Sequence, residues 1–339
     1  MSDSSDDPRF PSLELPEHPS FLTEGDTEIE KAYQSCLTFE REAQVSDSVA
    51  GLLRARMMGN LIIRAGSAEA QRYIARLINR CTEIPEEFRT LAAGIWRHII
   101  YRAMRIIPTI VMAVDREDLP DAAPENAVFE RDDYRCFITK SVDPVYVRSD
   151  PERHKKLLDE GYKPALVVPT KILPSKLKDE TIMKSSDGPE PHETLTVRQF
   201  LKSYGGVDIV EERSQLNGVQ NMVVLSYGAS ELFQGLGLWL KEKPNNRWQV
   251  RTLHNIDLIP KIQRDTEIIS YYPIFPPDPR YFKLHAALSE VAYYSGLGHE
   301  IHRRYVQREN QKMFNTLEPD GSTPVVDVVI SGWDLADCD

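Results

Sequence analysis

A chain of 339 residues, 41% hydrophobic and 27% charged, is long enough for one large or two ordinary domains and has the balance of a soluble globular protein. Its net charge of −11 argues against a nucleic-acid partner, although residues 1–48 alone hold 12 acids against 3 bases and the remaining chain is close to neutral. No apolar run reaches the roughly 18 residues of a membrane span, and four scattered cysteines without a CxxC pair point to a reducing compartment, so a cytoplasmic protein without structural zinc is expected.

In chain order, residues 1–24 are rich in Ser, Asp, Pro and Glu and read as a disordered acidic tail. A helical N-terminal region, 25–114, follows. Its pattern predicts a helix over 48–63, a second after the Ser67 cap with Ala70, Ile74, Leu77, Ile78 and Cys81 on one face, and a third after Pro85. Ten arginines between Arg54 and Arg105 stud these helices. They either bind phosphates or cover solvated faces. The polar stretch 115–127 reads as a connector.

From 128 to 339 the pattern predicts an α+β core with C-terminal helices. Short strands are expected at 136–139, 164–173 and 222–225, and a loop at 178–194. A short helix is expected at 195–204 with Thr196 as cap, and a helix beginning at 230–234. A strand pair around Trp239 and Trp248 is joined by Pro244-Asn245-Asn246. The Pro-rich stretch 252–279 is irregular, and helices are expected over 281–294, ending at Gly296, and over 300–313. His285 falls on the apolar face of the first of these and reads as a core histidine. His154, His192 and His254 have no strand or helix position that would bring them to Asn221.

Several segments carry a family likeness: RAGSAEAQRYIARLINRC (64–81), RDDYRCFIT (131–139), PDPRYFKLHAALSEVAYYSGLG (277–298) and EPDGST (318–323). In this order they resemble the fungal HNH-nuclease-domain proteins. The resemblance implies an HNH-like core of two strands and a helix, in which one histidine acts as general base, an asparagine orients the water and a second histidine holds the metal. Here the first histidine position reads Leu166, in Ala165-Leu166-Val167. The asparagine is present as Asn221, and the second histidine position reads Ser230. Leucine can neither take a proton nor bind a metal, and a serine hydroxyl is a poor ligand beside imidazole. The resemblance therefore implies a degenerate member without metal-dependent hydrolysis.

Two functions follow as expectations. In the first, the vacated cleft is a pocket for a small hydrophobic, terpenoid-like substrate of fungal secondary metabolism. A cofactor-independent cyclisation such as an intramolecular Diels–Alder reaction needs only a held conformer and a hydrogen-bond donor. Asn221 and Ser230 are then the candidate catalytic donors, Leu166 and Trp239 the wall, and Tyr227 either. Asn221 could instead brace its turn, and Trp239 could fill the core. In the second, the chain is an inactive pseudo-nuclease that binds nucleic acid or acts as a scaffold. Segment 131–184, with 12 Lys and Arg against 9 acids, is its best phosphate footprint. No Gly-rich phosphate loop or metal-ligand cluster is evident, so no cofactor is expected.

Overall fold

The computed structural model describes residues 14–19, 26–82, 84–104, 123–149, 152, 155, 156, 159, 164–174, 177–183, 194–244, 247–252, 265–267 and 276–300. In chain order the first elements are helices α1 (Thr27–Val45), α2 (Val49–Ile63), α3 (Ala68–Cys81), α4 (Pro85–Ile95), α5 (Ala123–Arg131) and α6 (Pro144–Ser149). Strands β1 (Val167–Lys171), β2 (Thr181–Met183) and β3 (Leu195–Thr196) follow, then helices α7 (Val197–Gly205) and α8 (Arg213–Asn217). Strand β4 (Met222–Ser226), helix α9 (Tyr227–Gln234), strands β5 (Leu238–Lys243), β6 (Arg247–Thr252) and β7 (Asp265–Glu267) and helix α10 (Pro279–Tyr294) complete the mixed α+β chain.

Two compact units divide it. The first takes 1–101, 180–204 and 287–339, and the second 102–179 and 205–286. The part after the connector is thus not one continuous domain: β2, β3, most of α7 and the second half of α10 belong with the N-terminal helices.

Unit 1 is built on helices whose starts the sequence marks. Ser48 and Ser67 accept from Gly51 N and Ala70 N, Asp26 accepts from Ile29 N, and Pro85 supplies N1 of α4. On α3, Ala70, Ile74, Ile78 and Cys81 form the buried stripe, and each isoleucine contributes about 2 kcal/mol by full burial. Helix α2 packs against α1, α3 and α4 and is buried nearly all round. Residues 14–19 of the expected disordered tail instead lie on the helices. Leu15 is buried and donates its N–H to Glu40, which also pairs with Arg56, while Pro16 O accepts from Tyr33.

Helix α4 runs on into a π-helical turn, Trp96–Ile100, which carries His98, and His98 Nδ1 lies 2.9 Å from Glu180. Gly94 leaves room for the Ile182 backbone of β2, which pairs antiparallel with β3. Thus 181–183 is a short strand, not loop. The Thr196 cap forms as expected: Gln199 N donates to its hydroxyl and Thr196 N to the Gln199 carbonyl.

Unit 2 holds two small antiparallel sheets: the pair β1–β4, in register from Val167↔Ser226 to Lys171↔Met222, and the meander β5–β6–β7. Helix α9 follows β4 without a loop and packs on both strands of the pair. Pro169 costs the pair no hydrogen bond, because it faces Val224 at a position where both residues turn their polar groups outward. Aromatic side chains Phe137, Phe233 and Trp248 pack around Phe282, and His285 is buried beside them as a core residue: its Nε2 donates to Phe233 O at 2.9 Å and its ring stacks on that phenyl. The expected helix over 300–313, and His154, His192 and His254, lie outside the described residues apart from Glu300.

Candidate functional site

The candidate residues gather around the strand–strand–helix unit β1–β4–α9, which the RDDYRCFIT segment buttresses. Arg131, 1% exposed, places Nε and Nη2 on the two carboxylate oxygens of Asp132 at 2.6 and 2.8 Å, and donates further to Val219 O and Met222 O. Asp132 in turn accepts from Val224 N of β4. A buried ion pair is tolerated when its remaining polar atoms are bonded, as here. Asp133 and Tyr134, at φ 56° and 54°, then reverse the chain.

The expected strand at 136–139 is a turn. Cys136 N donates to Ser141 O, Thr139 N to Cys136 Sγ and Lys140 N back to Cys136 O, and Phe137 N reaches out to Val224 O. The outer edge of β4 is therefore covered by a knuckle, not by a third strand. Tertiary hydrogen bonds have overridden the β-propensity of the Cys-Phe-Ile-Thr run.

Asn221 sits at the entry to β4 and is fully buried. Its Nδ2 donates to Leu173 O and Leu216 O and its Oδ1 accepts from Leu173 N, all at 2.8 Å, while its own carbonyl accepts from Ile172 N. Both amide donors are used, so the side chain braces three chain segments and has none to offer a substrate. Ser230 is 2% exposed. Its Oγ lies 2.8 Å from Thr170 Oγ1 and accepts from Gln234 Nε2 at 2.8 Å, which ties α9 to β1. Trp239 is buried in β5, where it fills the core. Among the five candidates, three thus have structural positions.

Leu166 and Tyr227 differ. Leu166 stands 51% exposed at the head of β1, next to wholly buried Val167, and its carbonyl accepts from Tyr227 N at 2.9 Å. Tyr227 opens α9 half-exposed, and its hydroxyl bonds to the Glu231 carboxylate, which holds the phenol above its ordinary pKa. An apolar side chain, a phenol and a carboxylate thus share one accessible edge. Asn221 lies at the other end of β4, about 20 Å away at 3.3 Å per residue, so the structure does not bring it to Tyr227 and Leu166.

Glu231 was not singled out from the sequence, although its i, i+4 spacing from Tyr227 on a helix is a local signal. The Arg131–Asp132 pair gave no such signal, since its other partners are about 90 residues away along the chain. Cys36, Cys81 and Cys136 are buried free thiols, and burial pushes that of Cys81 up to about 11, so it stays protonated and unreactive. Among the described residues no group of three or more His, Cys, Asp or Glu side chains is placed to hold a metal ion, and no helix is long and apolar enough to cross a membrane.

Comparison with protein families, with curated proteins and with solved structures found no match to this chain. The class established by the structure alone is a two-unit α+β protein with small antiparallel sheets.

Proposed function

We propose that unit 2 contains a degenerate HNH-like core without hydrolytic chemistry, and that the chain is a non-nuclease enzyme of fungal secondary metabolism. Its substrate in this reading is a hydrophobic, terpenoid-like small molecule, and its reaction a cofactor-independent cyclisation such as an intramolecular Diels–Alder addition.

One observation carries the reading. Leu166, at the position the resemblance assigns to a general base, stands half exposed with its carbonyl bonded to the Tyr227 backbone N–H, so the head of β1 and the start of α9 offer an apolar side chain and a phenol in place of a base and a metal ligand. Leu166 and Tyr227 are the substrate contacts in this scheme. Tyr227 supplies the donor that polarises a dienophile carbonyl by turning its one O–H from the Glu231 carboxylate to the substrate, and Asn221 and Ser230 keep the strand–strand–helix unit in shape. Such a reaction consumes no base and moves no proton, since the new bonds form from the electrons of the diene and dienophile themselves.

The alternative, a pseudo-nuclease that binds nucleic acid or scaffolds a partner, is favoured by the full engagement of Asn221 and Ser230 within the protein.

The two readings part in one experiment. The purified chain is incubated with a terpenoid extract, with duplex DNA, and with Mg²⁺ or Zn²⁺, and both thermal stability and product isomers are followed. Stabilisation by an extract component and its conversion to an isomer of equal mass are expected, with the rate reduced about 10²-fold in Tyr227→Phe, the size of a lost oxyanion-type donor. Metal-dependent cleavage of DNA, or salt-sensitive stabilisation by DNA alone, overturns the enzyme reading.

A further inference from the structure

Unit 1 contains a groove of about 280 Å³ between α3 and the β3–α7 segment, and its lining divides by chemistry. Leu77 and Leu195 form an apolar floor, the latter buried at the base of α7. Arg76, Arg80, Gln199 and Ser203 form the rim, and all four are exposed.

The charge on that rim is unbalanced. Arg76 and Arg80 stand at i and i+4 on α3, on one face of the helix, where like charges repel. Arg72, one turn earlier, is neutralised by Asp26 at 2.8 Å, whereas neither Arg76 nor Arg80 makes a salt bridge or hydrogen bond among the described residues. On the opposite wall the Gln199 carbonyl is taken by Thr196 N, which turns the side-chain NH₂ into the group left to donate, and the Ser203 hydroxyl stands one turn further along α7. The rim therefore offers two guanidiniums, an amide N–H and a hydroxyl above an apolar floor, in a chain whose net charge is −11.

We propose that this groove binds a small amphiphilic anion. A carboxylate or phosphate head group is held by the paired guanidiniums of Arg76 and Arg80, whose planar forks match its oxygens, and the apolar stem lies on Leu77 and Leu195. The volume is at the lower end of ligand sites, enough for the head and the first part of the stem. The groove lies wholly within unit 1, and the proposal does not rest on the reading of unit 2.

The test is calorimetric titration of the full chain with decanoate, decyl phosphate and uncharged decanol as probes. Binding of at least one of the two anions and none of decanol is expected, and the preferred anion identifies the head group. In the double variant Arg76→Gln/Arg80→Gln the affinity is expected to fall at least tenfold. In Arg72→Gln, which removes an equal charge from the same helix, it is expected to stay within about twofold. The substituted side chains are exposed, and circular dichroism checks that each variant is folded. Equal binding of decanol, unchanged affinity in the double variant, an equal loss in Arg72→Gln, or no binding of either anion overturns the proposal. So does binding of a DNA or RNA oligonucleotide at this rim when neither amphiphile binds.

Discussion

Replacing Asn221 by alanine separates a bracing role from a chemical one. The side chain satisfies Leu173 N, Leu173 O and Leu216 O, each at 2.8 Å and each buried with it. Alanine leaves all three without that partner, and a buried unsatisfied group costs about 1–3 kcal/mol. Water entering the vacated space recovers part of this, so a net loss of about 3–5 kcal/mol is expected, a large share of the roughly 5–15 kcal/mol that holds a typical domain. Urea unfolding followed by tryptophan fluorescence reads the effect, because Trp239 and Trp248 are buried in the same unit, and circular dichroism in parallel shows whether the two units unfold together. Asn221→Asp keeps the acceptor for Leu173 N but sets a carboxylate against two carbonyls. At neutral pH it is expected to be at least as damaging as alanine. A loss below about 1 kcal/mol in Asn221→Ala, or an aspartate variant as stable as the wild type, refutes the bracing role.

Two further perturbations test the packing of each unit. His285 is buried and neutral, with its pKa lowered by burial to about 4 from 6.5, so the unfolded chain takes up the proton more readily than the folded one. Its contribution is complete above pH 6.5 and is lost as pH falls from there to 4, on the order of 3 kcal/mol in all. His285→Gln, which keeps a donor for Phe233 O, is expected to flatten the stability profile in that window when urea midpoints are measured at stepped pH; an unchanged slope contradicts the assignment. Gly94→Ala would favour an isolated helix by about 1 kcal/mol. In α4, however, the new methyl meets the Ile182 backbone carbonyl, so a net loss of about 1–2 kcal/mol is expected in the same unfolding assay, and a stabilised variant would show that β2 does not rest on this helix.

The local parts of the architecture were legible in the sequence. Ser48, Ser67 and Thr196 are capping residues whose hydrogen bonds are made within three residues, Pro85 opens α4 at N1, and the stripe Ala70, Ile74, Ile78, Cys81 repeats at helical spacing, so boundary and buried face could both be read. What the sequence concealed depends on partners far along the chain. The run Cys136–Thr139 has strand composition, yet its N–H groups go to Ser141 and, across the fold, to Val224. Strand β2 has only three residues and is defined by its pairing with β3, not by an alternating pattern. The apolar stretch 164–173 does not reveal which neighbour faces inward. Register with β4 decides it, burying Val167 completely and leaving Leu166 half exposed.

The same distinction separates scaffold from chemistry at the candidate site. Asn221, Ser230 and the Arg131–Asp132 pair all have polar side chains that would suit catalysis, but each is buried and its hydrogen bonds close on the protein itself, so their residue types report only what the strand–strand–helix unit needs to hold together. Leu166 and Tyr227 carry the opposite information. Half exposing a leucine at the head of a strand gains nothing for the core, since about half of the roughly 2 kcal/mol that full burial is worth is forgone, and the phenol of Tyr227 reaches Glu231 within its own helix. Accessible residues that the fold does not need for its packing are where a ligand has room to act. That places the test of function on Tyr227, and leaves Asn221, the residue with the strongest resemblance to a catalytic position, as a test of stability.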